Sequence, residues 1–126
     1  MNSREKLINA AESSLKYSYC RYSKLKVAAA ILTEEGNVVT GCNIENRSLG
    51  LSICAERVAL FKAVSEGHRK IRSIGITSSL QNPVYPCGAC RQVLSEFEPN
   101  LTVYINHDRK SYKLSKLHPL NFDNKF

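Results

Sequence analysis

The sequence has no long apolar run. Its longest uninterrupted hydrophobic stretch, Val27 to Leu32, is far too short to cross a bilayer, so no membrane partner is expected. The opening MNSREKLINA carries charge but no apolar core segment, so a secretory signal is not expected either. Internal repeats, low-complexity tracts and linkers are missing. Lys and Arg number 18 against 11 Asp and Glu, a formal charge of +7, yet no five or six basic residues run together. Such scatter fits a solvated surface better than a polyanion-binding stripe, and nucleic acid is not expected as a partner. The five cysteines (Cys20, Cys42, Cys54, Cys87 and Cys90) are an odd set without the two-pair spacing of a zinc knuckle. An odd count with no leader argues against a secreted disulfide framework. It favours a reducing, cytoplasmic setting in which clustered thiols serve as metal ligands or catalytic groups.

What is present describes one globular domain over residues 1–126, with 43% apolar and 23% charged residues. Residues 3–18 place Leu7, Ile8, Ala11 and Leu15 at helical spacing, with Ser3 as the candidate N-cap. Residues 25–33 and 38–44 flank Glu34-Glu35-Gly36-Asn37, a hairpin signal in which Gly36 and Asn37 supply left-handed positions. A loop at 45–53 precedes a helix with Val58, Phe61 and Val64 on one face and Gly67 as its stop. Residues 71–78 form a strand. A helix from Cys87 with Cys90, Val93, Leu94 and Phe97 on one face ends before Pro99, followed by strands at 101–106 and 111–114. The order α-β-β-α-β-α-β, with a weaker last strand, predicts a three-layer α-β-α sandwich. Its mixed sheet has about five strands, adjacent and parallel wherever a helix connects them.

Two segments carry chemistry, Cys54-Ala55-Glu56-Arg57 and Pro86-Cys87-Gly88-Ala89-Cys90. Each opens a helix, where free backbone N–H groups favour anions. If the two helix ends abut, the three sulfurs of Cys54, Cys87 and Cys90 converge and suit Zn²⁺. Three protein ligands leave a corner for water, as catalytic zinc sites do. Glu56, two residues after Cys54, can take and pass on a proton of that water. Alone, it would be an ordinary first-turn glutamate favoured by the helix dipole. Three thiolates leave a zinc site with surplus negative charge, and Arg57 donating to a sulfur would relieve it; a surface ion pair is its other reading. His68, His107 and His118 lack ligand spacing and read as surface or packing residues.

At these residues the sequence resembles the cytidine deaminases, in particular the short zinc-dependent homotetrameric type. The likeness also covers Tyr22-Ser23 with Val27, the run Gly41-Cys42-Asn43-Ile44-Glu45-Asn46, residues 62–67, and Arg91-Gln92 after the cysteine pair. It implies one Zn²⁺ per subunit and hydrolysis of cytidine and deoxycytidine to uridine and deoxyuridine with loss of ammonia, a pyrimidine-salvage reaction. Glu56 would shuttle protons to N3 and to the departing amino group, within the zinc deaminase chemistry of activated water and a non-ligating glutamate. It further implies substrate contacts at Leu25, Asn43, Ile44, Glu45, Ala55 and Phe122. Asn43 and Glu45 would hold ribose hydroxyls, and the Ala55 N–H the base carbonyl. Loop capping is the other reading of Asn43 and Glu45. Phe122 would cover the site of a neighbouring subunit.

The chain also departs from the family pattern. Leu25 stands where relatives carry Phe, which removes a stacking partner worth about 0.5–1.5 kcal/mol beyond area burial. Arg21, Ala28, Arg47 and Leu49 differ as well. Two other deaminations and two other classes compete with the main reading: a modified cytosine nucleoside such as blasticidin S, a polynucleotide, a zinc-stapled nucleic-acid-binding module, and a thiol-disulfide enzyme using Cys87 and Cys90.

Overall fold

The computed structural model describes residues 1–122 and contains five strands and four α-helices. Helix α1 (Ser3–Ser14) is followed by the hairpin of β1 (Val27–Thr33) and β2 (Val38–Cys42). Then come α2 (Ala55–Ser65), β3 (Ile71–Ser78), α3 (Gly88–Phe97), β4 (Thr102–Ile105), β5 (Ser111–Lys113) and the short α4 (Leu114–Leu117). The strands form a single sheet in the order β2-β1-β3-β4-β5. Among the described residues, no helix is long and apolar enough to cross a membrane.

The expected three-layer sandwich is present. Alternation along β1 divides the core, as the period of two requires. Ala29 and Ile31 join Ile74, Ile76, Val103 and Ile105 under α2 and α3, while Ala28 and Ala30 face Leu7 and Ala11 of α1. The sheet is mixed: β3 and β4 are parallel, and the other neighbouring pairs are antiparallel. The helical connection from β2 to β3 differs from the adjacent parallel pair expected, because β3 lies against β1, antiparallel to it, and not against β2. The hairpin strand β1 occupies the slot between them.

Local differences have local causes. Asn2, not Ser3, caps α1, its side chain accepting from the Glu5 N–H at 2.9 Å. In the hairpin turn Gly36 alone takes a left-handed φ, of 96°, so Asn37 needs none. Gly67 ends α2 as anticipated: its φ is 96°, and the N–H groups of Gly67 and His68 bond back to the carbonyls of Val64 and Ala63. That is a Schellman arrangement.

The buried face of α2 is not the one its large apolar residues suggested. Ala55, Glu56, Ala59, Leu60 and Ala63 are buried, whereas Phe61 is 46% exposed. The cause is the closeness of β2. A Cβ on Gly41 would lie 2.4 Å from the Ala59 nitrogen. Only small residues on both partners let helix and strand approach this far, so the alanines turn inward with Leu60 and the Phe61 ring is left outside. Gly75 does the same for α1, where an added Cβ would meet the Leu7 Cβ at 2.8 Å. The contact at Gly41 fixes the depth at which the first turn of α2 sits over the end of β2.

Candidate active site

Cys54 and Cys87 are the N-cap residues of α2 and α3, both in extended backbone. Cys90 lies in the first turn of α3, and its N–H donates to the Cys87 sulfur at 3.4 Å. The two helix starts meet as the spacing required. The Cys54 and Cys87 sulfurs are 3.8 Å apart and those of Cys87 and Cys90 3.4 Å, with all three within 4.8 Å of one another. Tetrahedral Zn–S bonds of about 2.3 Å place sulfurs about 3.8 Å apart, so the set fits this ion. Cys20 and Cys42 stand outside the group, and among the described residues no His, Asp or Glu joins it.

The electrostatics of the cluster agree with a cation site. The Cys54 thiol is pulled well below its ordinary value, first by a hydrogen bond from Cys90 and then by Arg57, whose Nη2 donates to the Cys54 sulfur at 3.5 Å. The Cys90 thiol is pushed up by that same bond to Cys54 and by its burial. One thiolate thus forms at the expense of its neighbour. Three together need a positive ion at their centre.

Above the sulfurs opens a cavity of about 360 Å³. Its wall includes Cys54, Cys87, Ala55 and Glu56 from the helix starts, Asn43 and Glu45 from beyond β2, and Ser23, Leu25 and Val27 leading into β1. Val84 and Tyr85, just ahead of Pro86-Cys87, complete it. Sequence reasoning passed over these two; their position directly before the cysteine pair was the available signal. Asn43 spans the start of β1, its Oδ1 accepting from Val27 N at 3.0 Å and its Nδ2 donating to Leu25 O at 2.8 Å. The Glu45 carboxylate accepts from the N–H groups of Tyr22 and Ser23 at 3.0 and 3.1 Å, and from the Ser23 hydroxyl. Both residues therefore cap the loop as well as line the cavity. Each keeps hydrogen-bonding capacity to spare, because an amide has a second proton and a carboxylate about four lone pairs.

Ile44 does not line the cavity. It is 45% exposed and bridges Tyr19 and Ile53 through its backbone. Phe122 is likewise away from this chain's site, exposed beside Gln92, His118 and Leu120. The histidines sit outside the cysteine group: His68 pairs with Glu35 at 2.7 Å, His118 with Gln92 at 3.0 Å, and His107 is exposed. Arg47 and Leu49 occupy the exposed loop between β2 and α2.

Glu56 is 4% exposed, and burial pushes its carboxyl up to about 7. Between about pH 4.3 and pH 7 the folded chain then holds a proton that the unfolded chain has released. The contribution of this group to stability is fully present below the unfolded value and falls as pH rises towards the folded one. Chelator-treated Glu56→Gln is thus expected to be more stable than chelator-treated wild type at pH 8, by on the order of 3 kcal/mol. The two should converge near about pH 4. Denaturant titrations at the two pH values check this, and a pH-independent difference would contradict the assigned burial cost.

A cavity lined by Cys54 and Cys87, with the Cys90 thiol converging on them from beneath and a buried carboxylate beside them, defines a class, the metal-assisted hydrolases that activate water next to a proton-carrying side chain. Residues 1–106 match the family described as the cytidine and deoxycytidylate deaminase zinc-binding region, and the chain belongs to that family. It is 46% identical to a probable cytidine deaminase of Dictyostelium discoideum over 112 residues, 88% of this chain and 76% of that one. It is 45% identical to a cytidine deaminase of Halalkalibacterium halodurans over 120 residues, 92% of this chain and 91% of that one. A Bacillus cereus blasticidin-S deaminase is more distant, at 30% over 113 residues and 79% of each chain. The crystal structure of a Burkholderia pseudomallei cytidine deaminase superposes with a TM-score of 0.90 at 40% identity, over 97% of this chain and all of the other.

Proposed function

We propose that the chain hydrolyses cytidine and deoxycytidine to uridine and deoxyuridine, releasing ammonia. The observation that carries this reading is the buried Glu56 carboxyl lining a cavity beside three convergent sulfurs, two of which also line it. Cys54, Cys87 and Cys90 hold the zinc ion, which when bound supplies the Lewis acidity that makes water a nucleophile at neutral pH. Glu56 takes a proton from that water as its oxygen bonds to C4 of the ring, and delivers the proton to N3. Glu56 then moves the remaining hydroxyl proton to the 4-amino nitrogen. The C4–N4 bond breaks, ammonia departs and the C4 carbonyl forms. Burial, which raises the affinity of the Glu56 carboxyl for a proton, suits a group that must hold the proton between the two transfers. Arg57 draws charge from the Cys54 sulfur and keeps the trithiolate from neutralising the metal's electrophilicity.

Glu45 and Asn43 orient the sugar with their spare hydrogen-bonding capacity. The Ala55 N–H, a first-turn donor at the helix start, meets the base carbonyl. Among the described residues, the cavity wall has carboxylates at Glu45 and Glu56 and no Lys, Arg or His. That charge balance favours an unphosphorylated nucleoside over a nucleotide. A homotetramer with shared sites fits the apolar residues left outside: Leu49 and Leu51 are each 67% exposed on the loop between the sugar-binding and metal-binding segments, and Phe61 is 46% exposed on α2. In such an assembly Phe122 of one subunit would reach a neighbour's cavity, and the enzyme would serve pyrimidine salvage in the cytoplasm.

Ammonia release from cytidine, deoxycytidine, deoxycytidine monophosphate and blasticidin S tests the reading. The first two should be turned over and the last two left largely unchanged. Inert cytidine and deoxycytidine beside active blasticidin S would overturn it.

A further inference from the structure

Leu25 gives the cavity no aromatic face, and among the described residues lining it Tyr85 is the one aromatic. Its ring is not a loose surface group. The Tyr85 hydroxyl donates to Asp108 Oδ2 at 2.7 Å, and the same oxygen accepts from the Tyr112 hydroxyl at 2.6 Å. The Tyr85 and Tyr112 rings meet edge to face, with centroids 6.1 Å apart and planes at 81°. Asp108 is itself anchored in the β4–β5 turn, its N–H donating to the Ile105 carbonyl and its Oδ1 accepting from the Lys110 N–H. The backbone next to Tyr85 is fixed independently, since Arg91 donates to the Pro86 carbonyl at 2.7 Å and to the Leu117 carbonyl at 2.7 Å. Tethered at the phenol and at the backbone, the residue is still 44% exposed and lines the cavity. Among the described residues of its own chain, a planar pyrimidine entering this cavity meets a preorganised π surface at Tyr85 alone.

We propose that Tyr85 is the aromatic wall that holds the pyrimidine base, and that Asp108 is the positioning residue that sets its ring. The proposal rests on the nucleoside reading of the site and adds the side chain that decides base affinity. Stacking of this kind is tolerant of chemistry at the sugar and acts on ground state and transition state alike, so its loss shows in KM and not in kcat.

The test uses zinc-loaded protein. Steady-state cytidine kinetics and equilibrium binding of uridine are measured for wild type, Tyr85→Leu, Tyr85→Phe, Asp108→Ala and Asp108→Asn. Tyr85→Leu should raise KM and the uridine Kd about five- to tenfold, with kcat within about twofold of wild type. Tyr85→Phe keeps the ring and should stay within about threefold in all three quantities. Asp108→Ala should weaken uridine binding about two- to threefold, and Asp108→Asn, which still accepts the phenol proton, should restore most of the loss. Wild-type KM and uridine affinity in Tyr85→Leu would overturn the proposal, as would a defect confined to kcat. A wild-type chain inactive on cytidine would fail the functional reading instead, and the uridine measurement would still decide the role of Tyr85.

Discussion

Replacing Glu56 by Gln is expected to reduce cytidine turnover about 10²–10⁴-fold while leaving zinc in place. The amide preserves the volume and most of the packing of a side chain that is 4% exposed. It cannot accept the water proton, and it has none to deliver to N3. Both proton transfers pass through this one group, so neither half of the reaction is spared. The three sulfurs do not depend on it, because Glu56 lies outside the set that can hold the ion. Metal content measured beside turnover separates the proton role from a structural one. Turnover within about tenfold of wild type would refute the proton shuttle.

A second large effect is expected at Cys90. It is fully buried, and its sulfur is 3.4 Å from that of Cys87. Cys90→Ala leaves two thiols where three had gathered, and a two-sulfur site cannot retain zinc against ordinary competition. Bound zinc should fall from about one per chain to near zero, and turnover should fall with it. Cys20→Ala and Cys42→Ala should keep the metal, because neither belongs to the cluster. Elemental analysis after gel filtration checks all three. Equal zinc in Cys90→Ala and wild type would contradict the assignment.

The chemistry-bearing residues were the most legible part of the sequence, for a physical reason. Thiols at two helix starts, with a glutamate two residues after the first, form a pattern tied to local spacing, and only the meeting of the two helix starts is left to distant packing. The layer order followed from element order in the same way. Features set by contact between distant segments were less legible. The inward face of α2 is decided by how closely β2 approaches at Gly41, and neither segment read singly reveals that distance. The slot of β3 beside β1 depends on which strand edge the hairpin leaves free. Tyr85 gains meaning only through Asp108 and Tyr112, which lie more than twenty residues further along the chain. The short α4 also escaped notice, since its residues Leu114–Leu117 carry too few turns for a period to show.

Everything proposed for the site requires that Cys54, Cys87 and Cys90 bind one zinc ion and leave a coordination position facing the cavity. Zinc-edge X-ray absorption on the purified protein tests it most directly. Three sulfur scatterers at about 2.3 Å and one lighter donor at about 2.0 Å are expected. Four sulfurs, or a metal-free chain with Cys87 and Cys90 joined as a disulfide, would contradict it.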